Sequence, residues 1–215
     1  MQRLRVRFSR GDEIKFISHL DLMRCWERAL RRAQVPLAYS EGFTPHPRIS
    51  LAVPLAIGVT SEAELMDINL TRWVSPHWFT GAVSQQLPAG MGILGVIPVA
   101  LTLQSLQSAV RFAEYRVNVE SEMNPGEIQS KVDTLLSVQE LPWRHQRDTG
   151  ERIYDLRRLV EDVWVEEWLD RSRVLGMVLR CDSGGSGRPE QVALALGVSE
   201  YPRSIHRMKL TLAVQ

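Results

Sequence analysis

Hydrophobic and polar residues alternate with a period of two in several short stretches of the chain, and this pattern predicts β-strands. In the first stretch, Leu4, Val6 and Phe8 alternate with arginines, as expected for a strand with one buried face. The predicted strands are Leu4 to Phe8, Ile49 to Val53, Glu64 to Leu70, Ile93 to Val99, Glu114 to Val119, a hairpin of Pro142 to His145 and Arg152 to Leu156 around Asp148-Thr149-Gly150, Val174 to Arg180, and Ile205 to Val214. The segment Trp164 to Leu169 fits either a helix or a strand.

Helical spacing of apolar residues predicts helices between these strands. Ser18 to Asp21 resembles a helix start, and apolar residues then recur at helical spacing as far as Gln34, before Pro36 ends the helix. The arginines of this helix, Arg24, Arg28, Arg31 and Arg32, lie mostly around its solvent-facing sides. Further helices are predicted from Ser75-Pro76 to about Gln86, from Asn124-Pro125 to Ser137, and from Pro189 to Leu196.

The order strand, helix, strand, strand, helix, strand occurs twice. This order predicts an α+β fold of two tandem ferredoxin-like (βαββαβ) halves, each with two helices on one face of an antiparallel sheet. The expected domains are residues 1–101 and 109–215, joined near Thr102 to Ser108.

The composition of the sequence limits where the protein is predicted to be located and which cofactors it is predicted to hold. The N-terminus mixes basic and apolar residues, no run reaches the roughly 18 apolar residues of a membrane span, and a cytoplasmic protein is predicted. Cys25 and Cys181 are far apart in the sequence, so neither a disulfide framework nor a cysteine-rich metal or iron–sulfur site is expected in this chain. Phosphate-loop, dinucleotide-binding and zinc-protease motifs do not occur in the sequence.

Charge is concentrated at the start of the chain. The net charge is +1, but residues 1–50 hold ten Arg or Lys against five Asp or Glu, a local balance of +5. Most of the basic residues are arginines, whose planar fork suits phosphate and base recognition. The composition of this region therefore suits an anionic ligand, and a GC-rich genome is the alternative explanation of the abundant arginine.

The candidate ligand-binding residues of the first half surround a strand-to-helix turn and a Gly/Pro loop. They are Lys15, His19, Arg24, Arg28, Gly42, Phe43, His46 and Arg48. Aromatic rings at Phe16, Tyr39 or Phe43 offer stacking surfaces for bases. In the alternative interpretation, His19 and Asp21 only cap the helix and the aromatic rings belong to the core.

Two histidines are candidates for acid–base chemistry. His46 lies between two prolines on an ordered loop, a better position for a functional site than a core face, and His19 lies at the predicted helix start. Gly42 is expected to supply a positive φ or a close approach in the His46 loop. His46 also fits a structural role, as a hydrogen-bonding group at a strand edge.

The second half carries a dispersed polar set: Asp155, Arg157, Arg188, His206 and Arg207. Strand alternation predicts that Asp155 and Arg157 share one sheet face. A structural network of salt bridges is the preferred interpretation of this set, with ligand binding as the alternative.

Two motifs carry a family resemblance. They are Lys15-Phe16-Ile17-Ser18-His19-Leu20-Asp21-Leu22-Met23-Arg24 and Ser40-Glu41-Gly42-Phe43-Thr44-Pro45-His46-Pro47-Arg48. They resemble the radical SAM-linked protein family, a domain of unknown function, over most of the chain. The resemblance implies a bacterial accessory domain beside a radical SAM protein. It also implies that any iron–sulfur cluster and S-adenosylmethionine belong to that separate partner.

Three functions follow as hypotheses. The leading one is an accessory protein that binds RNA or presents a substrate to a radical SAM enzyme acting on RNA or a ribosome-related target. The first alternative is an endoribonuclease-like enzyme using His46 or His19 as general acid or base, by fold-level analogy with CRISPR repeat-processing endoribonucleases. The second is a protein-only adaptor for the radical SAM partner. With no nucleophile or carboxylate pair evident, binding is preferred to catalysis by the chain alone.

Overall fold

The computed structural model describes residues 1–147, 150–169 and 172–213. The chain is a mixed α+β fold of mostly antiparallel strands and helices, and it divides into two compact units, Met1–Val110 and Arg111–Gln215. None of the helices in the described ranges has the length and hydrophobicity that a membrane crossing requires.

The first unit is built around a sheet with strand order β4-β1-β3-β2, in which each neighbouring pair is antiparallel. Its elements are β1 (Gln2–Arg10), a 3₁₀ turn (Asp12–Ile14), α1 (His19–Arg32), β2 (Ile49–Leu51), β3 (Thr60–Leu70), α2 (Pro76–Ser84), β4 (Met91–Val99) and the short α3 (Leu106–Ala109). The predicted strand and helix at the start of the chain are therefore confirmed, and β3 and β4 begin earlier than predicted.

The core of the first unit lies between this sheet and the helices α1 and α2. Leu4, Val6 and Phe8 of β1 are completely buried there, as the alternating pattern predicted. The rings of Phe8 and Trp26 meet edge to face, with their centroids 5.0 Å apart. Trp26 of α1 therefore anchors the helix to the central strand.

The prediction that β1 buries only one face was wrong. Arg3 and Arg5 on the other face are also buried, because Asp67 of β3 lies beside them. Arg5 donates two hydrogen bonds to the Asp67 carboxylate, Nε to Oδ1 at 2.8 Å and Nη2 to Oδ2 at 3.0 Å. A bidentate ion pair of this kind offsets the free-energy cost of removing both charges from water.

The second unit is built around a sheet with strand order β11-β5-β9-β8, and a separate hairpin β6-β7. Its elements are β5 (Val110–Glu120), α4 (Pro125–Ser137), β6 (Pro142–Arg147), β7 (Gly150–Asp155), a 3₁₀ turn (Arg157–Leu159), β8 (Val160–Leu169), β9 (Ser172–Asp182), β10 (Gly185–Ser186), α5 (Pro189–Ala195) and β11 (Ser204–Leu212). Asn124 and Glu127 form a capping box that begins α4. Asp148, Thr149 and Val214, included in the predicted elements, lie outside the described residues.

The ambiguous segment Trp164 to Leu169 is part of strand β8. Trp164 lies opposite Gly176 of β9, and a Cβ atom added at Gly176 would lie 2.0 Å from Trp164 Cε2. The indole therefore covers the glycine, an aromatic–glycine pairing across two strands. Helical or strand spacing in one segment cannot reveal this partner, because the glycine lies in another strand.

Replacing Gly176 by alanine is expected to lower the free energy of unfolding by about 1–3 kcal/mol, because the new methyl group overlaps the indole. Chemical denaturation of the full chain measures this loss. In the matched experiment, Trp164→Ala removes the indole that the new methyl group would overlap. The double variant Trp164→Ala/Gly176→Ala should therefore lose less free energy of unfolding than the sum of the losses in the two single variants. Additive losses would show that the two residues do not interact in this way.

Candidate nucleic-acid interface

Helix α1 presents a row of arginines to solvent. Its N-cap is Ser18, whose hydroxyl oxygen accepts a hydrogen bond from the Asp21 backbone N–H. Leu22, Trp26 and Ala29 face the core, and this leaves the opposite side of the helix to polar residues. At 100° per residue, the exposed arginines fall within an arc of about 100°. These four residues, Arg24, Arg28, Arg31 and Arg32, are called the arginine ridge.

Asp21 lies on the same side of α1 as the arginine ridge, and its carboxylate is hydrogen-bonded within the helix. The Ser18 hydroxyl donates to Asp21 Oδ2 at 2.7 Å, and Arg24 Nη1 lies 3.1 Å from Asp21 Oδ1. The Ser18 hydrogen bond, followed by Arg24, holds the pKa of Asp21 below its ordinary value. Asp21 therefore stays anionic and offsets one guanidinium of the ridge.

Lys15 and His19 lie at the start of α1. The Lys15 Nζ atom pairs with Asp12 Oδ1 at 2.8 Å and lies 5.4 Å from the centroid of the Phe16 ring. Phe16 and His19 are both exposed, so the interpretation that places Phe16 in the core was wrong. This end of the helix thus combines a cation, an imidazole and an open aromatic face.

A buried arginine, Arg10, holds the backbone of the turn that precedes α1. It was not among the predicted site residues. The Arg10 side chain donates to the carbonyl oxygens of Lys15 and Ile17, each at 2.8 Å, and of Ile14 at 3.3 Å. A longer bond of 3.5 Å reaches the Leu55 carbonyl. Arg10 therefore holds the turn that carries Lys15 and leads into α1.

The loop predicted to carry His46 is a closed hairpin tip. The backbone N–H of Ser40 donates to the His46 carbonyl at 2.8 Å, and the His46 N–H donates to the Ser40 hydroxyl at 3.0 Å. Gly42 has φ +117°, as its predicted role requires. Phe43 at the tip is fully exposed, and His46 and Arg48 are exposed beside it.

The two predicted parts of the first-half site do not converge. Ser61 of β3 pairs with Arg10, next to the start of α1, whereas Asn69 of β3 donates its backbone N–H to the Arg48 carbonyl. Eight residue steps separate these two positions, about 27 Å at the ~3.4 Å rise of an antiparallel strand. Lys15 and His19 therefore lie at one end of β3, and His46 and Arg48 lie at the other.

Helix α1, which carries the arginine ridge, runs between the two ends. The helix α1 starts beside Arg10 and is followed at its far end by Leu37, which forms a β-bridge with Leu70 of β3. Its 14 residues correspond to a length of about 21 Å. The candidate residues of the first unit are thus spread along α1 and past both of its ends rather than gathered in one pocket. Arg31 and Arg32 were not among the predicted site residues, although their spacing from Arg24 and Arg28 indicated the same face.

The candidate residues of the second half do not form one site, and their side chains make separate contacts. Arg207 is buried, with Nε and Nη2 donating to the Tyr115 hydroxyl at 3.3 and 3.1 Å, and His206 is half-buried beside it on β11. Asp155 and Arg188 line a common pocket, to which Arg152 and Arg158 also contribute.

The prediction that Asp155 and Arg157 share a sheet face was wrong, because β7 ends at Asp155 and Arg157 begins a 3₁₀ turn. Asp155 Oδ1 accepts hydrogen bonds from the backbone N–H groups of Leu141 and Arg157, and the Leu141 bond is the main cause that lowers the pKa of Asp155. The Arg157 side chain instead donates to the carbonyls of Leu136 and Val160.

No group of three or more His, Cys, Asp or Glu side chains within the described part of the chain is arranged to hold a metal ion.

Two solved complexes contain a chain with a similar fold. A chain of a Cbf5-Nop10-Gar1 complex superposes with TM-score 0.55 at 10% identity, covering 96% of this chain and 48% of that chain. A chain of an H/ACA RNP bound to a substrate RNA containing 2′-deoxyuridine superposes with TM-score 0.52 at 10% identity, covering 95% and 46%. This protein therefore spans about half the length of the chains it matches, and the likeness concerns the fold.

The sequence places the chain in a family. Residues 3–189 match the profile of the family described as uncharacterized protein conserved in bacteria (DUF2344), so the chain belongs to that bacterial family. No curated protein matches the sequence.

Proposed function

We propose that this protein is an accessory RNA-binding protein whose first unit contacts RNA through the arginine ridge of α1. The ridge is the observation that carries the proposal: four exposed guanidinium groups lie on one face of α1, and exposed aromatic rings occur in the segments before and after this helix. Phosphates bind guanidinium forks, and bases stack on exposed rings. A row of cations along a helix suits an extended polyanion better than a small ligand. The presence of a similar fold in an H/ACA RNP bound to a substrate RNA supports the same inference.

We further infer that the partner is a separate radical SAM enzyme acting on RNA or a ribosome-related target. This part rests on the resemblance of the motifs around His19 and His46 to the radical SAM-linked family. The iron–sulfur cluster and S-adenosylmethionine would then be held by that partner. Because RNA and such a partner are found in the cytoplasm, the protein is proposed to act there.

We infer that each unit is a ferredoxin-like half, with domains 1–101 and 109–215. The strand orders β4-β1-β3-β2 and β11-β5-β9-β8 support it, because they place the first and third strands of each βαββαβ sequence side by side at the centre.

The test is binding of the full chain to a fluorescently labelled single-stranded RNA over a range of salt concentrations. The logarithm of the binding constant should fall linearly with the logarithm of salt, by about 0.7 per phosphate contacted. Absence of binding, or binding that salt does not weaken, contradicts the proposal. Electrophoresis of the same samples should show intact RNA, whereas cleavage lost in His46→Ala or His19→Ala would identify an endoribonuclease instead. Recovery of a radical SAM protein from nuclease-treated lysate by a chain that binds no RNA would identify a protein-only adaptor.

Replacing Phe43 by alanine is expected to weaken RNA binding about tenfold, because base–aromatic stacking contributes about 1–3 kcal/mol per base. Fluorescence anisotropy measures the change. The control pair is Phe43→Trp, which keeps a stacking surface, and Phe43→Leu, which keeps only an apolar one. Retention of affinity in Phe43→Trp and its loss in Phe43→Leu support stacking, whereas equal affinities in both variants argue against it.

A further inference from the structure

The second unit contains a small pocket rich in arginine. Its volume is about 210 Å³, and its lining includes Arg152, Arg158 and Arg188 together with Tyr154, Asp155 and Ser186. A volume below the ~300–1,000 Å³ of drug-sized sites suits a small group such as a phosphate with part of its sugar. The pocket lies outside the first unit, so it is separate from the arginine ridge.

The walls come from three parts of the unit. Arg152, Tyr154 and Asp155 belong to β7, and Arg158 belongs to the 3₁₀ turn that follows it. The turn between β9 and β10 supplies another wall, and there Gly185 packs so closely on Leu159 that an added Cβ would lie 2.6 Å from Leu159 Cδ2. The shape of the pocket therefore depends on this close backbone approach.

The hairpin that carries Arg152 is fixed to α5. Gln191, which is buried, accepts a hydrogen bond from the indole N–H of Trp143, and its amide nitrogen lies 3.0 Å from His145 Nδ1. Trp143 and His145 pair with Tyr154 and Arg152 across the hairpin, so these four residues share one face. Arg152 and Tyr154 thus occupy defined positions, with the guanidinium 5.8 Å from the ring centroid.

The charge of the pocket favours a dianion. Three arginines and one aspartate among the lining residues give a net charge of +2. Arg158 Nε pairs with Asp155 Oδ2 at 3.0 Å, Glu140 lies 3.5 Å from Arg158, and Glu190 lies 3.7 Å from Arg188. The Arg158 and Arg188 side chains are 71% and 49% exposed, and exposed ion pairs contribute only about 0–1 kcal/mol, so an entering phosphate can displace the two glutamates.

We infer that this pocket binds a phosphate monoester group, which carries a charge of about −1.5 to −2 at neutral pH. Guanidinium forks bind phosphate oxygens through paired hydrogen bonds, and the Tyr154 ring offers an apolar face to an attached sugar or base. The monoester has two possible sources, the phosphorylated end of an RNA and a free phosphorylated small molecule. The proposal does not require RNA binding by the first unit.

Isothermal titration calorimetry of the full chain with inorganic phosphate and with adenosine 5′-monophosphate tests the site. Arg152→Gln and Arg188→Gln should each weaken binding about tenfold or more, because a charge-assisted hydrogen bond is lost. The matched control is Arg144→Gln, which removes the same charge from the opposite face of the hairpin, where Arg144 pairs with Ile153. It should bind within about twofold of the parent. Circular dichroism verifies that each variant is folded.

Two RNAs of the same sequence, one with a 5′-phosphate and one with a 5′-hydroxyl, distinguish the two possible sources of the phosphate monoester. Tighter binding of the phosphorylated RNA that disappears in Arg188→Gln supports the site and assigns it to an RNA end. Binding of adenosine monophosphate without an effect of the RNA end supports the site and assigns it to a small molecule. If neither inorganic phosphate nor adenosine monophosphate binds, or if the Arg152 and Arg188 variants bind like the parent, the proposal is overturned.

Discussion

Replacing Arg24, Arg28 and Arg32 together by glutamine is expected to lower the affinity for single-stranded RNA about 100-fold at 0.1 M salt. Each lost phosphate contact reduces the salt slope by about 0.7, so three contacts reduce it by about 2. At 0.1 M salt, a slope change of 2 corresponds to two orders of magnitude in the binding constant. Anisotropy titrations of parent and variant at several salt concentrations measure both quantities.

The matched control is the triple lysine variant, Arg24→Lys/Arg28→Lys/Arg32→Lys. It keeps the charges but loses the planar forks, so it should retain the salt slope with a smaller loss of affinity. Arginine, lysine and glutamine have similar helix propensities, so α1 should persist in both variants. An unchanged salt slope in the glutamine variant would show that the arginine ridge is not the phosphate-binding surface.

Replacing Arg10 by methionine is expected to lower the free energy of unfolding by about 3 kcal/mol, because its buried guanidinium donates several hydrogen bonds and a hydrogen bond to a charged group contributes about 1.5–3 kcal/mol. The side chain is almost completely buried, and its loss removes one donor from each of the carbonyls of Ile14, Lys15 and Ile17. The Ile14 and Lys15 carbonyls keep a backbone donor, the N–H groups of Ile17 and Gly58. Urea denaturation followed by circular dichroism measures the change.

Arg7 provides the control for this prediction, since it belongs to the same strand but is exposed. Its Nε donates to the Glu62 carbonyl at 3.2 Å at the surface, and Arg7→Met should change stability by no more than about 0.5 kcal/mol. Similar losses in the two variants would mean that the buried hydrogen bonds of Arg10 contribute little.

Local patterns were sufficient to predict most strands and helices, because alternation and helical spacing are properties of neighbouring residues. Leu4, Val6 and Phe8 identified β1, and the helix start at Ser18 was predicted correctly. The exposed positions of the arginines of α1 followed from the same periodicity. These predictions required no knowledge of tertiary contacts.

Features that depend on distant partners were not predictable in this way. The burial of Arg3 and Arg5 depends on Asp67, more than 60 residues away, and the strand at Trp164 depends on Gly176 in the next strand. The separation of Lys15 from His46 follows from the pairing register of β3, which a sequence pattern does not specify. Arg152 was missed because its pocket combines a hairpin, a turn and a second loop.

The hairpin that carries Phe43 has a consequence for the thermodynamics of binding. Its base is closed by the Ser40–His46 hydrogen bonds and continued by the hydrogen bond from the Arg48 N–H to the Ala38 carbonyl. Ordering a flexible loop costs about 1–2 kcal/mol of conformational entropy per residue. Because these bonds form during folding, the cost of ordering the base of the hairpin is met before a ligand arrives, and this lowers the entropy cost of binding at its tip.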